Sequence, residues 1–397
     1  MTMERLAYVA FDTVPAPKGA STHIAAFARA LAAHYGRIEL ITAGLITAGS
    51  GGGETVERWS GVFHSELPAL GVSLIDRILC FQAYLNRWLS RHAYSIVQFR
   101  SSFEGLPLIE LSPRPKLVFE VNGLPSIELK YRYPGVEDDR DLMRKLKAQE
   151  AACLGAADRV ITPSAVTAEY LQRDRGAKRV EVIPNGVDLT TFQQAGDPVP
   201  SDIFRMLYFG TMHSWQGVEL AIRALAQARS QLEARSQLDV HLTIVAVGDT
   251  EAAERLAAKL QVLDRVSFLP AMPQSELAAI VRASHAVLAP LSLNDRNLVQ
   301  GCCPLKILEG MACGVPVIAS DLPVVRELGC DGTHFLLVKP GSVDQISEAI
   351  LRLHSDPALA RAIGANARQH IEDHFTWERA GASLVKLYEE LIRSSSA

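Results

Sequence analysis

None of the six cysteines (Cys80, Cys153, Cys302, Cys303, Cys313 and Cys330) stands in a CxxC pair, and their spacing forms no disulfide framework. The adjacent pair Cys302–Cys303 has no histidine or third cysteine close by in sequence, which makes it a poor metal site. Reduced thiols in a cytosolic enzyme are the simplest reading. Charge of one sign is lacking too. A net charge of −4 and a pI near 6.3 favour no nucleic acid or other polyanion as partner. No uncharged apolar run is long enough to span a bilayer, and no signal peptide is expected, because Met1–Arg5 runs straight into the strand-like LAYVAF. What is present is a globular composition: 48% hydrophobic, 21% charged, mean hydropathy +0.10. Spread over 397 residues, it asks for two cores rather than one.

The densest stretch is GCCPLKILEGMACGVPVIASD, Gly301 to Asp321. Pro304 suits a helix start, Leu305, Leu308 and Met311 recur at helical spacing, and Gly314 with Pro316 supplies a stop. Val315–Ala319 then reads as a buried strand. Lys306 and Glu309, three apart, share one face of this helix near its N-terminus, where backbone N–H groups and the helix dipole favour a phosphate. On an isolated helix the same two residues would be a solvated ion pair.

Along the first half, Leu6–Phe11, Ile38–Thr42, Ser95–Phe99, Leu117–Val121, Asp158–Pro163 and Arg179–Ile183 read as strands. Ser21 is expected to cap a helix carrying Ile24, Phe27, Ala28 and Leu31, and Gly44–Gly53 to be a mobile loop. The strand–loop–helix–strand opening is a βαβ unit, whose ligands lie beyond the carboxyl ends of the strands. Lys18, Gly19 and Ala20 are placed to meet such a ligand, though a plain turn glycine explains Gly19 equally well. His23 reads more readily as a surface residue than as a contact to an acceptor. Ser73–Arg91 is an amphipathic helix whose Tyr84 and Trp88 could touch an acceptor or lipid, with core packing the simpler account. Asp139-Arg140-Asp141 imitates a metal-binding DxD, but it opens a helix that runs from acidic to basic, as the helix dipole favours. In the second half, strand patterns at Phe204–Phe209, Leu242–Val247, Val266–Leu269, Ala286–Ala289, Val315–Ala319 and Phe335–Val338 alternate with helical ones, which predicts a parallel α/β domain.

The Gly301–Asp321 stretch, the PKGASTH loop, PNGVDLTTF (Pro184–Phe192) and FTWERAG together resemble the retaining glycosyltransferases of family 4. The resemblance covers most of the chain and thins between residues 44 and 95. It implies a GT-B fold, two Rossmann-like doubly wound α/β domains: residues 1–195 on the acceptor side, 196–375 on the donor side, and 376–397 as a helix returning to the first domain. It also implies transfer of a sugar from a nucleoside-diphosphate sugar to a polysaccharide, glycolipid or small-molecule acceptor, with no metal or other cofactor. Under this resemblance Glu309 holds the donor ribose, while Cys302, Cys303, Pro304 and Leu305 hold its diphosphate. Gly19 faces the phosphate, Lys18 and His23 lie on the acceptor side, and backbone between Phe268 and Met272 meets the base.

Three departures stand out. The family's Arg and Lys in the first loop of the second domain are matched here by Thr211 and Gln216, beside Trp215, which could stack on a base or sugar. Gly301 replaces the first glutamate of the signature, which shifts sugar recognition toward Asp295, Asn294 or the backbone of Cys302 and Cys303. Asn122 stands about where many members carry a histidine; it can hold a hydroxyl but cannot act as a base. Lys306 is the expected substitute cation, with Lys18 and Arg296 as lesser candidates. Two rivals follow from the same departures: a non-catalytic nucleotide-sugar-binding subunit, and another GT-B enzyme such as an epimerase or phosphorylase. The expected location is the cytoplasm, with room for peripheral contact at the inner face of a membrane.

Overall fold

Apolar runs bounded by Gly, Pro and Asn become parallel strands because helices cover both faces of each sheet. The computed structural model describes residues 5–44, 54–133, 139–196, 203–233 and 239–395. It divides into two units: Met1–Ala16, Ala20–Pro184 and Glu378–Ala397 form the first, Pro17–Gly19 and Asn185–Trp377 the second. The loop expected at Gly44–Gly53 and the linker composition of 195–202 lie largely outside the described residues.

Among the described residues, the first unit holds eight strands: β1 (Leu6–Ala10), β2 (Ile38–Gly44), β3 (Val56–Trp59), β4 (Val62–Pro68), β5 (Ile96–Phe99), β6 (Lys116–Glu120), β7 (Arg159–Thr162) and β8 (Val180–Val182). They lie in the order β3-β4-β2-β1-β5-β6-β7-β8. All neighbours are parallel except the hairpin β3–β4. That hairpin is absent from the sequence reading, since exposed β3 carries no apolar alternation (VERW). The helix after β1 spans Gly19–Tyr35, so Ser21 is not its cap; Ser21 is buried and its hydroxyl accepts from the Ala16 N–H at 2.8 Å. Asp139 does cap Arg140–Ala156, accepting from the Leu142 N–H at 2.9 Å. The C-terminal helix, Trp377–Ser395, belongs to the first unit from Glu378 onward. Its Gly381 sits so close to the helix Gly19–Tyr35 that an added Cβ would come within 2.7 Å of Ala30.

The second unit holds β9 (Ile203–Thr211), β10 (Asp239–Val247), β11 (Val266–Pro270), β12 (Ala286–Ala289), β13 (Val317–Ser320) and β14 (Leu336–Val338), ordered β11-β10-β9-β12-β13-β14. This is the doubly wound order, with its reversal between β9 and β12. The division between the units falls at Pro184–Asn185. The reason is local: the Asn185 amide donates to the Cys303 carbonyl at 2.7 Å, and Val187 bridges to Thr376.

Candidate active site

In an open α/β sheet the crevice forms where neighbouring strands send their connections to opposite sides. In the second unit those strands are β9 and β12. The loop after β9 carries a short turn of helix, Ser214–Gln216, and ends at Gly217, whose φ is 71°. A Cβ there would lie 1.8 Å from the Pro290 carbonyl oxygen, so only glycine lets this loop meet the one after β12. Asn297, fully buried, clamps the same junction by donating to the carbonyls of Trp215 at 3.0 Å and Ser292 at 2.8 Å. It belongs to a π-helical turn, Arg296–Gln300, a rare form that is frequent at functional sites.

The helix Leu305–Ala312 starts at this crevice and is buried from Lys306 onward. Lys306 is 7% and Glu309 6% exposed, which rules out a solvated surface pair. Their close partners are neutral. The Lys306 ammonium donates to Gln216 Oε1 at 2.8 Å and lies 4.0 Å from the centre of the Tyr208 ring. Gln274 donates to Glu309 Oε1 at 3.2 Å. Burial therefore dominates both: it pushes the lysine down to about 7 and the carboxyl up to about 7, against the smaller pull each exerts on the other.

The other expected donor residues fall as follows. Thr211 ends β9, half-buried, and its carbonyl accepts from the Tyr208 hydroxyl at 2.7 Å. Gly301 has a positive φ of 79° and is buried with Cys302 and Cys303 just ahead of the helix, whose N-cap is Pro304. Gly19 and Leu305 come together within the second unit, a Cβ on Gly19 reaching 3.1 Å from Leu305. Lys18 is half-buried beside Gly19. Met272, half-buried, follows β11. Trp215 departs from expectation. It is 3% exposed, with His213 stacked on it at 4.3 Å and the Arg296 guanidinium 5.5 Å from its centre, so its ring has no face to offer a base or sugar.

In the first unit, Asn122 follows β6 and is half-buried. Its amide donates to Glu120, the last residue of that strand. His23 is not a surface residue: it is 3% exposed and its Nε2 lies 2.8 Å from Glu120. Among the described residues no three His, Cys, Asp or Glu side chains are grouped to hold a metal ion, and no helix is long and apolar enough to cross a membrane.

Comparison with known proteins bears on this geometry. The profile described as Glycosyltransferase Family 4 matches residues 17–191, and that of Glycosyl transferases group 1 matches residues 191–370. The chain belongs to glycosyltransferase family 4. Among curated relatives of this family 4 chain are D-inositol 3-phosphate glycosyltransferases of Streptomyces bingchenggensis and Catenulispora acidiphila. They are 29% and 30% identical, each over 62% of this chain and over 55% and 60% of the relative. The matches thus span little more than half of those relatives' length. Among solved structures, sucrose-phosphate synthase from Thermosynechococcus elongatus superposes with a TM-score of 0.82 at 23% identity, covering 98% of this chain and all of the other. Anabaena HepE in complex with UDP and glucose gives a TM-score of 0.73 at 17% identity, covering 98% of this chain and all of the other. The family 4 chain has the GT-B fold.

Sequence reasoning missed Gln216 as the partner of Lys306, and missed Tyr208, Gln274 and Asn185 entirely. It also missed Glu120, although a carboxylate and Gln98 inside otherwise apolar strands were a signal available to it.

Proposed function

We propose that this family 4 chain transfers a sugar from a nucleoside-diphosphate sugar with retention of configuration and without a metal. One observation carries this: a buried ammonium, Lys306, at the carboxyl end of the β9/β12 reversal, whose close partners are a neutral amide and an aromatic ring. A buried cation with neutral partners is costly, and a diphosphate is the anion that a helix N-terminus beside it suits. In this mechanism Lys306 offsets the charge that grows on the departing diphosphate. Gln216 aims the ammonium and Glu309 takes the ribose hydroxyls. The acceptor hydroxyl is held by Asn122, and its proton passes to the departing phosphate. Gly19, Thr211, Met272 and the Gly301–Leu305 turn are the remaining donor contacts, with Lys18 and His23 on the acceptor side.

UDP-glucose is the first donor to test, because HepE was solved with UDP and glucose. A phosphorylated polyol such as D-inositol 3-phosphate is the first acceptor, from the relatives' activity. A lipid-linked acceptor reached at the inner face of a membrane, by a cytoplasmic protein, is the second class. It is favoured by Val72, Ile75 and Leu79, 104%, 56% and 58% exposed around the helix Leu74–Leu89. Thermal shift with UDP, GDP, ADP and dTDP identifies the base, since a ligand at a hundred times its Kd stabilises by about 2.7 kcal/mol. Radiolabelled transfer then decides between enzyme and mere binder. Binding without release of free nucleotide, with any acceptor or with water, would favour the non-catalytic subunit that the neutral Thr211 and Gln216 suggest.

A further inference from the structure

The proposed mechanism leaves unused a buried carboxylate in the first unit. Glu120 is 1% exposed and accepts hydrogen bonds at both oxygens. At Oε1 the donors are Arg100 Nε at 2.9 Å and Asn122 Nδ2, with His23 Nε2 at 2.8 Å. At Oε2 they are the Tyr8 hydroxyl and Gln98 Nε2, each at 2.5 Å. The C-terminal helix joins in, the Tyr388 hydroxyl donating to Gln98 Oε1 at 3.0 Å. Strand register assembles the group. Tyr8 pairs with Gln98 and Gln98 with Val118, so these three share one face. Arg100, Glu120 and Asn122 follow at steps of two, which keeps them on it.

An ionised carboxylate only accepts, and a carboxamide has one donating and one accepting end. Beside Glu120 the Asn122 amide therefore has a single allowed orientation, NH2 inward and carbonyl oxygen away from the cluster. Tyr388 imposes the same discipline on Gln98. Tyr8, Gln98 and His23 are buried, whereas Asn122 is half-buried at the border of the group. We propose that Glu120 is a positioning residue for the acceptor: it locks Asn122 so that an oxygen, and not an NH2, meets the incoming hydroxyl. This rests on Asn122 holding that hydroxyl, and it adds a selectivity: the acceptor must present an O–H or N–H at that point.

The test compares wild type with Glu120→Leu, Asn122→Ala and the double variant. The first readout needs no substrate. In 15N-labelled protein the Asn122 side-chain amide, identified by its loss in Asn122→Ala, should show slow exchange and a cross-peak to the Arg100 Nε proton. Both should vanish in Glu120→Leu, which keeps the bulk and leaves no acceptor for the Asn122 NH2; a glutamine would still offer Asn122 its oxygen. An unchanged Asn122 amide in Glu120→Leu, or no such cross-peak in wild type, overturns the inference. The second readout is transfer from UDP-glucose to D-inositol 3-phosphate. Glu120→Leu should raise the acceptor KM about tenfold while hydrolysis of UDP-glucose by water stays within twofold, and the double variant should be no worse than Asn122→Ala. If Asn122→Ala is impaired and Glu120→Leu is not, the positioning role falls and the function stands. An unchanged acceptor KM in Asn122→Ala sinks the acceptor role of Asn122 itself. Should Glu120→Leu fail to fold, Glu120→Asp keeps the charge and draws the carboxylate back from Asn122; a rise of about threefold in acceptor KM is expected, and none overturns the proposal.

Discussion

Each unit buries a carboxylate near the carboxyl ends of its strands, and the two are treated in opposite ways. Around Glu120 five side chains converge, and although burial raises its carboxyl, His23, Arg100 and the bond from Tyr8 outweigh that and hold it at about 2. Glu309 has the single amide of Gln274, and burial wins, pushing it up to about 7. Lys306, one turn earlier, is left with a neutral acceptor and a ring. The Glu120 cluster compensates its charge internally and so makes a rigid fixture. The pair in the second unit keeps its charges under-compensated, a state that an arriving anion relieves. Function is expected where compensation is incomplete.

The largest effect that could break this contrast is on stability. Glu120→Ala leaves Arg100 buried, with Asp12 no nearer than 4.0 Å, and removing one partner of a buried pair costs about 3–5 kcal/mol. Thermal melting of the variant should fall accordingly; a melt matching wild type would mean the cluster holds nothing together. The sign with pH follows from the lowered carboxyl. Glu120 contributes fully above 4.5, its ordinary value, and loses that contribution as pH falls toward 2, so acid should unfold wild type more steeply than Glu120→Ala across that window.

Next come the charges of the second unit. Lys306→Ala and Glu309→Ala should each lose roughly ten- to a hundredfold in kcat/KM for UDP-glucose, the range of a charged hydrogen bond worth about 1.5–3 kcal/mol, with less change in melting than Glu120→Ala. Rates like wild type in both would return them to a structural role. UDP affinity sharpens the point. Only the protonated lysine attracts a diphosphate, and in the free protein it titrates near 7, so UDP binding should weaken as pH rises above 7, by up to about tenfold per unit. Calorimetry in two buffers of different ionisation enthalpy should detect proton uptake on binding, and Lys306→Ala should abolish it.

Much of this was legible in the sequence, and what was not has physical reasons. The helix Leu305–Ala312 and its stop at Gly314 could be read because Pro, periodic apolar residues and Gly act locally. The solvated alternative for Lys306 and Glu309 could not be dismissed, because burial comes from strands far away in sequence. The same holds for His23, whose partner Glu120 lies on β6, and for Trp215, whose faces are filled by Arg296 and His213. Cross-strand networks leave only a faint trace, a polar residue where an apolar one is expected, as at Gln98 and Glu120. Strand β3 left none, since an exposed strand carries no hydrophobic code, and in buried β4 the polar run His64-Ser65-Glu66 breaks the apolar pattern.

The smallest predicted effect separates charge from packing at the site that matters most. Lys306→Met keeps the volume of the stem and removes the ammonium. If the lysine is under-compensated, the ligand-free variant should melt higher, by roughly 2–4 °C for each kcal/mol of penalty relieved, while UDP binding is lost. The pH dependence carries the decision. The folded value is lowered from 10.5 to about 7, so between those limits the unfolded chain binds more protons and wild-type stability rises with pH. Below 7 both states are protonated and the penalty in wild type is full. The advantage of Lys306→Met should therefore be greatest at pH 6 and fade by pH 10. An equal advantage at both would assign the gain to packing, and with it would go the contrast between a compensated unit and one that waits for an anion.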